Sequence, residues 1–353
     1  MRATSVETIG FHPVLQRDSA DRPHAFLTAQ CYSGAMRKPI RLPLIAIVAA
    51  ALALSATFAE AQSGAPGYVV VETGQGFGRL QDAVNAIGGG TGTIRIAPGR
   101  YADCAVQTAG SVSYIAAVPG QAVFDGVACE DKAAFVLRGS SARVEGLVFA
   151  NIRVGDWNGA GIRLEKGNLS VSQSWFRDSQ QGILTGDDTS ATLAIDKSTF
   201  TRLGTCEGPG GCAHSLYAGD YGAVTVTRSR FEAGRGGHYL KSRAGRIGII
   251  NCSFDDTAGR ETNYMIDLPN GASGRIAGNW FVQGESKENY SAFITVAPEG
   301  RQRSSAGLVI EGNNARFAPG VSRTSTFVAN WTDDPVQIGV NTLGAGLKIK
   351  DRR

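Results

Sequence analysis

Short apolar strands that end in phenylalanine recur along this chain at a nearly constant interval, and this recurrence restricts the fold more than any other feature. The phenylalanines are Phe149, Phe176, Phe200, Phe231, Phe254 and Phe281. Their spacings are 27, 24, 31, 23 and 27 residues. A constant core spacing with occasional insertions is typical of a coiled parallel β-solenoid, whereas the strands of a sandwich or barrel need not keep a period. We therefore predict an all-β solenoid, with a β-sandwich as the weaker alternative.

The start of the repeating region has a different pattern. The sequence predicts strands over residues 68–72 (YVVVE) and 93–101 (TIRIAPGRY). Between them, apolar residues recur with a helical period at Phe77, Leu80, Val84 and Ile87. We expect this short amphipathic helix to cover the open end of the first coil, which would otherwise expose core and strand edge.

Residues 1–61 have the features of an upstream extension followed by a secretory signal peptide. A basic cluster that ends at Arg41 precedes an apolar run over residues 42–58 and the tripeptide Ala59-Glu60-Ala61. This order predicts cleavage before Gln62, with an uncleaved membrane anchor as the alternative. We therefore predict a secreted or periplasmic protein in which residues 62–353 form a single domain that no longer contacts the membrane.

The charge of residues 62–353 is nearly balanced, with 29 lysines and arginines against 27 aspartates and glutamates. A basic tail or basic amphipathic helix is absent from the sequence, which argues against a nucleic-acid partner. A single repetitive array can grow by adding coils, and we expect a monomer.

Five cysteines follow the predicted cleavage site. Cys206 and Cys212 enclose a glycine-rich loop, and Cys104 and Cys129 are 25 residues apart, about one coil. Export to an oxidising compartment favours both pairs as disulfides. Cys252 is left over and is predicted to be a small buried side chain rather than a reactive thiol. The spacing of the cysteines and histidines does not match a zinc site.

Three segments between residues 203 and 300 can be laid over one another: HSLYAGD from His214, HYLKSRA from His238 and YMIDLPN from Tyr264. Equivalent positions of successive coils lie about 4.8 Å apart across a parallel sheet. The overlay therefore places Tyr217, Lys241 and Asp267 in one row. The preceding column is aliphatic and points inward, so this row should point outward.

The residues around this row are the other site candidates. Strand alternation predicts that Arg243 shares the outer face with Lys241, and that Ser215, Tyr239 and Met265 do so as well. His214 and His238 open their strands at a corner, where alternation would turn them inward. The candidate substrate-binding residues are His214, Asp220, Tyr239, Tyr264, Asn270 and Glu299.

This combination of groups suits β-elimination at a uronic acid. The reaction needs a base for the C5 proton, a cation for the enolate, and an acid for the departing glycosidic oxygen. Lys241 is the candidate base, and Arg243 is the candidate ligand of the substrate carboxylate. Tyr217 or His238 is the candidate acid, and Asp267 completes the catalytic set. The leading interpretation is therefore an enzyme that acts on an acidic polysaccharide.

Three other interpretations remain open. Lys241 and Asp267 could form a cross-strand charge ladder with no catalytic role. A glycoside hydrolase would use two carboxylates, for which the candidates are Asp220 with Asp267, Asp187 with Asp188, and Asp255 with Asp256. A non-catalytic glycan-binding protein would use exposed aromatic side chains, for which the candidates are Trp157, Trp175 and Trp280.

The region from about Tyr68 to Asn314 resembles the right-handed parallel β-helix proteins of the pectate-lyase-like superfamily. Residues 237–244 (GHYLKSRA) and 263–271 (NYMIDLPNG) look like a signature of exported bacterial β-helix-repeat proteins. The resemblance implies a right-handed coil. It also implies that lysine and arginine act as base and charge stabiliser, often with calcium, and Lys241 and Arg243 match in type and face. The acidic calcium cluster of many such lyases is not evident in this sequence, so calcium remains a cofactor implied by the resemblance alone.

Overall fold

The computed structural model describes residues 66–353, and these residues form ten coils of three short strands each. The strands of each coil belong in turn to three sheets, called A, B and C here. From the third strand onward, each strand pairs in parallel with its equivalents in the neighbouring coils. The predicted parallel β-helix is confirmed. The signal peptide and upstream extension predicted for residues 1–61 lie outside the described residues.

The three sheets have the following strands, in spatial order. Sheet A contains β2 (Gln75–Phe77), β1 (Tyr68–Val70), β3 (Thr91–Ile96), β6 (Ser111–Ala116), β9 (Ser141–Glu145), β12 (Asn168–Ser172), β15 (Asp188–Asp196), β18 (Tyr221–Thr227), β21 (Arg246–Ile250), β24 (Ser273–Ala277), β27 (Leu308–Glu311) and β30 (Gln337–Ile338). Sheet B contains β4 (Gly99–Tyr101), β7 (Ala122–Asp125), β10 (Leu147–Ala150), β13 (Trp175–Arg177), β16 (Thr199–Thr201), β19 (Arg230–Glu232), β22 (Ser253–Asp255), β25 (Trp280–Gln283), β28 (Asn314–Phe317) and β31 (Thr342–Leu343). Sheet C contains β5 (Ala105–Gln107), β8 (Ala133–Leu137), β11 (Ala160–Leu164), β14 (Gln181–Thr185), β17 (Leu216–Ala218), β20 (Leu240–Ser242), β23 (Ile266–Leu268), β26 (Ala292–Val296), β29 (Ser325–Asn330) and β32 (Leu347–Arg352).

The first coil is covered by helix α1 (Leu80–Ile87), as predicted. Leu80, Ala83 and Val84 are buried against the core of the first coils. The helix is shorter than its apolar pattern because Phe77 belongs to β2, which forms an antiparallel hairpin with β1. The N–H of Leu80 donates to an Asp103 carboxylate oxygen at 2.8 Å, so a distant side chain satisfies one of the helix's free N–H groups.

The recurring phenylalanines form one stack inside the coil. Successive rings are parallel, with centroids 4.6–5.0 Å apart, and every ring in the stack is fully buried. Their strands in sheet B align these residues in register. The constant spacing in sequence therefore reflects one core position that is repeated coil after coil.

Cys252 lies in a ladder of small polar side chains that precedes the phenylalanine stack by two residues. Within the ladder, a side-chain oxygen accepts a hydrogen bond from a backbone N–H of the preceding coil, as Asn279 does from Cys252 at 2.8 Å and Ser229 does from Ser198 at 3.1 Å. Cys252 is 3% exposed, and burial raises the pKa of its thiol to about 11. It is therefore a buried side chain with an unreactive thiol, as predicted.

Both disulfides proposed from the sequence are present. Cys104 bonds to Cys129 and Cys206 bonds to Cys212. The second bond closes a loop between β16 and β17, at the corner where sheet B passes to sheet C. This loop is the insertion that lengthens the spacing between Phe200 and Phe231. A helix long and apolar enough to span a bilayer is not found among residues 66–353.

Candidate active site on sheet C

Tyr217, Lys241 and Asp267 lie directly beside one another on three successive strands of sheet C. Tyr217 pairs in register with Lys241, and Lys241 pairs with Asp267. The residues that precede them in β17, β20 and β23 are the aliphatic ones, and they are packed in the core. The predicted register of the three segments is confirmed.

The prediction for the column one residue further upstream is wrong. Tyr239 and Met265 are packed in the core, and the Tyr239 hydroxyl donates to Asp256 at 2.6 Å inside the coil. Each of these residues lies at a bend just before its strand, so two consecutive side chains point inward there. From the first residue of the strand, side chains again point alternately inward and outward. Tyr239 is therefore not available to bind substrate.

The same bend turns the strand-opening histidines outward, opposite to the prediction from alternation. The His214 ring contacts the Tyr217 ring edge to face, with centroids 5.3 Å apart. The His238 Nε2 atom lies 3.4 Å from an Asp267 carboxylate oxygen. Two outward rows, one from the bend and one from the strand, therefore form a single surface.

This surface is the floor of a cleft of about 770 Å³. Its floor includes His214, His238, Tyr217, Lys241 and Arg243. One wall is formed by loops at the corner between sheets B and C, residues 156–158 and the disulfide loop at residues 210–212. The other wall follows β14 and β17 at residues 185–187 and 219. A walled cleft is what orientation and partial desolvation of a substrate require.

Glu299 connects the two cations of the floor. Its carboxylate accepts from Lys241 Nζ at 2.5 Å and from an Arg243 terminal nitrogen at 2.6 Å. Arg243 also donates to the Tyr217 hydroxyl oxygen at 2.8 Å and to the Asn270 side-chain oxygen at 2.6 Å. Burial opposes ionisation of Glu299, but the hydrogen bonds from Lys241 and Arg243 outweigh it and hold its pKa below the usual value.

The two histidines are neutral and hold a defined tautomer. His214 Nδ1 accepts from the His238 backbone N–H at 3.0 Å, and His238 Nδ1 accepts from the Tyr264 backbone N–H at 3.2 Å. The remaining proton of each neutral ring therefore lies on Nε2. Burial, followed by the charges of Lys241 and Lys287, lowers the pKa of His238 to about 3. Burial also lowers the pKa of His214 well below its ordinary value.

Asp267 lies beneath the floor and is 2% exposed. Its carboxylate accepts from the Thr295 hydroxyl at 2.7 Å and lies 3.5 Å from Lys241 Nζ. Burial raises its pKa, although Lys241 and Thr295 oppose that change. Because it lies below Lys241 and His238, it can position these two residues but has no direct route to a substrate in the cleft.

The other predicted substrate-binding residues lie outside the cleft lining. Asn270 and Glu299 contact its cations from the side. The Tyr264 ring stacks on His238, and its hydroxyl accepts from Asn289 at 2.7 Å. Asp220 is paired with Arg303, so it is already occupied by a cation of the protein.

In two of the aspartate pairs proposed for a hydrolase, one member has a structural role. Asp256 is fully buried and accepts from Tyr239 and Thr262, with Lys287 Nζ at 3.2 Å. It is a structural anchor beneath the bend. Asp187 lines the cleft, whereas Asp188 accepts from the N–H of Gly167 in the neighbouring coil.

Several polar residues of the cleft were not found from the sequence. They are Asp156, Asn158, Arg163, Gln181, Asn263 and Glu288. Arg163 and Gln181 come from earlier coils, in which the strand-opening histidine and the lysine are replaced by other residues. The overlay of three segments could have been extended to these coils, since Arg163 and Leu184 occupy the same row as Tyr217. Trp157, considered as a glycan-stacking residue, also lines the cleft.

The described residues do not fit the calcium ion that the resemblance implies. Within residues 66–353, the group of acidic, histidine or cysteine ligands close enough to share an ion is Cys206, Cys212 and Glu288. Its two sulfurs form a disulfide, and calcium requires several oxygen ligands. No step of the proposed chemistry is therefore assigned to a metal.

Comparisons with known proteins give similarity in fold alone. No protein-family model matches the chain, and no curated protein sequence matches it. One similar solved structure is ORF18 of Geobacillus virus E2, with 14% identity, a TM-score of 0.41, and coverage of 77% of this chain and 56% of that chain. Another is tailspike protein gp49 of the Acinetobacter baumannii bacteriophage Fri1, a capsular polysaccharide depolymerase, with 11% identity, a TM-score of 0.39, and coverage of 76% of this chain and 59% of that chain. This chain thus spans less than two thirds of either protein.

Proposed function

We propose that this protein is an exported enzyme that cleaves an acidic polysaccharide by β-elimination in the cleft on sheet C. The observation that carries the proposal is the contact among Tyr217, Lys241 and Arg243, which places a phenol and two cations on one cleft floor. A uronic-acid polymer supplies the matching groups, namely a carboxylate, an acidic C5 proton and a leaving glycosidic oxygen. The two disulfides support export. The fold supports membership of the pectate-lyase-like superfamily.

Lys241 and Arg243 are assigned to the substrate carboxylate. Both cations hold the Glu299 carboxylate in the free protein, which shows that an anionic group fits between them. In the reaction they would neutralise the charge that moves onto this carboxylate when the C5 proton leaves. A base needs a free electron pair, but the Lys241 ammonium is directed at two carboxylates, Glu299 and Asp267. The geometry therefore favours a charge-stabilising role for Lys241 over the role of base that the sequence suggested.

Tyr217 is assigned to proton transfer. Its hydroxyl oxygen accepts a hydrogen bond from Arg243 at 2.8 Å, which places a cation beside the atom that would exchange the proton. The phenolate takes the C5 proton, the electron pair of that C–H bond forms the C4–C5 double bond, and the C4–O bond breaks. The phenol then gives its proton to the departing oxygen, so atoms and charge balance. Neutral His214 and His238 would donate from Nε2 to substrate oxygens.

The test is to incubate the purified protein with polygalacturonate, alginate and hyaluronan and to follow the near-ultraviolet absorbance of the unsaturated product. We expect turnover with at least one polymer and its loss, by a factor of a hundred or more, in Tyr217→Phe, with binding retained. Arg275→Met, on the outer face of sheet A, is the control and should match the wild type. Absence of unsaturated product with every polymer, or full activity of Tyr217→Phe, would rule out this mechanism.

Hydrolysis is the second candidate because Asp156, Asp187 and Glu288 bring carboxylates to the cleft walls. A hydrolase would release reducing ends without unsaturated product, and it would lose activity when one of these carboxylates is replaced by its amide. Retention of a polymer without turnover would instead identify a glycan-binding protein.

A further inference from the structure

The cleft is longer than the site described above. Its floor crosses four successive strands of sheet C, from β11 through β14 and β17 to β20. Arg163 stands at the far end, in the same row as Leu184, Tyr217 and Lys241. Three strand spacings, roughly 14 Å, separate it from Lys241. One cation group therefore lies at each end of a continuous floor.

The far end contains polar atoms without a partner in the protein. Arg163 Nε and the Gln181 side-chain oxygen are buried and form no hydrogen bond. Gln181 is 1% exposed and lines the cleft, and its amide nitrogen donates to the Asn158 side-chain oxygen at 2.9 Å. Buried polar atoms in folded proteins nearly always have a partner, so a donor and an acceptor are left here for a ligand.

Glu165 forms a long ion pair with Arg163 but no hydrogen bond. Glu165 Oε1 lies 4.0 Å from Arg163 Nε, outside hydrogen-bond distance. This carboxylate is hydrogen-bonded to Lys132 and Arg138. Arg163 therefore has one long ion pair, to a carboxylate that it shares with two other cations, and its side chain lines the cleft.

Two side chains with apolar surfaces lie in the row between the two ends. The Leu184 side chain and the Tyr217 ring lie between Arg163 and Lys241 in the row, and both line the cleft. A pyranose ring is comparable in length to one strand spacing and has an apolar face that packs on such side chains.

We propose that Arg163 and Gln181 form a second subsite for an acidic sugar, so that the glycan lies along the axis of the coil, across the strands. Arg163 takes the carboxylate of that sugar, and the Gln181 oxygen accepts from one of its hydroxyls. The intervening sugars pack on Leu184 and Tyr217. This subsite rests on the proposed function and adds that the substrate has acidic groups on more than one sugar.

The test uses oligosaccharides of two, four and six sugars prepared from whichever of the three polymers the wild type cleaves or retains. Binding and initial rates are measured for the wild type, Arg163→Met, Gln181→Leu and the Arg275→Met control. We expect Arg163→Met to raise KM and Kd about tenfold for the hexamer, with kcat and the values for the dimer unchanged. A carboxyl-reduced hexamer should bind the wild type and Arg163→Met equally well.

Failure of this subsite and failure of the proposed function would give different experimental results. Suppose that the wild type acts on the hexamer. If Arg163→Met then changes KM and Kd equally for the dimer and the hexamer, or changes them for neither, the subsite is wrong and the proposed function stands. If the wild type neither binds nor cleaves any of the three polymers, both are wrong. We expect the melting curve of Arg163→Met to match that of the wild type, because Arg163 is partly exposed. Such a match excludes unfolding as the cause of weaker binding.

Discussion

At the scale of single residues, Glu299 occupies the position that the proposed function assigns to a substrate carboxylate. It bridges Lys241 and Arg243 from a turn at the edge of the cleft and is itself 43% exposed in its side chain. A bound uronate must compete with this internal carboxylate for the two cations. We therefore expect Glu299→Gln to lower the Kd for the retained polyuronate about tenfold, measured by titration.

Glu311→Gln is the matched control, because Glu311 pairs with Arg275 on sheet A, away from the cleft. It should leave the Kd unchanged. Weaker binding in Glu299→Gln would show that Glu299 positions the cations instead of competing for them.

The histidines predict a pH dependence of stability. The pKa of His238 is lowered to about 3 in the folded protein, and that of His214 is lowered in the same direction. The unfolded chain therefore binds more protons than the folded protein once the pH falls below about 6.5. We expect the free energy of unfolding to decrease as pH falls from about 6.5 to 4.5, by up to about 1.4 kcal/mol per pH unit for each imidazole.

Denaturant unfolding at several pH values measures this slope in the wild type and in His238→Asn. The asparagine oxygen can replace Nδ1 as acceptor for the Tyr264 N–H, but it does not titrate. The variant should have a shallower slope. An unchanged slope would mean that His238 is protonated in the folded protein.

Residue orientation was predictable within strands and not at the bends before them. Alternation correctly placed Tyr217 and Lys241 on the cleft side of β17 and β20, whereas Asp267 of β23 keeps the predicted register but is covered by its neighbours. It failed for Tyr239 and His238 because the bend inserts a second inward residue. A run of two large apolar residues, such as Met265-Ile266, was the available signal for that bend.

At the scale of structural elements, the phenylalanine stack is the main repeated contact of the core. Phe231 is fully buried between Phe200 and Phe254, with centroid distances of 4.6 and 4.9 Å. We expect Phe231→Ala to lower the free energy of unfolding by about 3–5 kcal/mol, because it removes a large buried ring and leaves a cavity. Trp175→Ala, at a 41% exposed position on sheet B, should cost much less in the same denaturant titration.

The two disulfides should differ in their effects. The Cys104–Cys129 bond closes a longer loop than Cys206–Cys212, with sequence separations of 25 and 6 residues. Replacing both cysteines of the longer loop by serine should therefore cost about 1 kcal/mol more in stability. Replacing Cys206 and Cys212 should instead raise KM, because their loop forms a wall of the cleft. Equal effects on KM would contradict this division of roles.

The positions of the strands followed the predicted repeat closely, except in the first coil of the described residues. The predicted strand over residues 93–101 is two strands, β3 and β4, separated by a turn at Ala97-Pro98. Proline has no N–H to donate to a neighbouring strand, so the strand ends before it. The apolar residues on either side of the proline made the two strands look like one in the sequence. The helix began at Leu80 instead of Phe77 because the β1–β2 hairpin takes up the residues before it.

At the scale of the whole molecule, the cleft results from stacking four coils whose outward residues differ. The repeat predicted the stacking, and therefore the alignment of Tyr217, Lys241 and Asp267. The walls were not predictable in this way, because they come from loops at residues 156–158 and 210–212 that interrupt the repeat. Arg163 was missed because its coil shares the strand pattern but not the histidine and lysine of the later coils.

The most direct test of the account is a crystal structure of Tyr217→Phe with a hexamer of the retained polyuronate. We expect a sugar carboxylate bound by Arg243 and Lys241 in place of Glu299, with the glycan running across β17 and β14 towards Arg163. A hexamer bound on the outer face of sheet A or sheet B, with Glu299 still bridging the two cations, would contradict it.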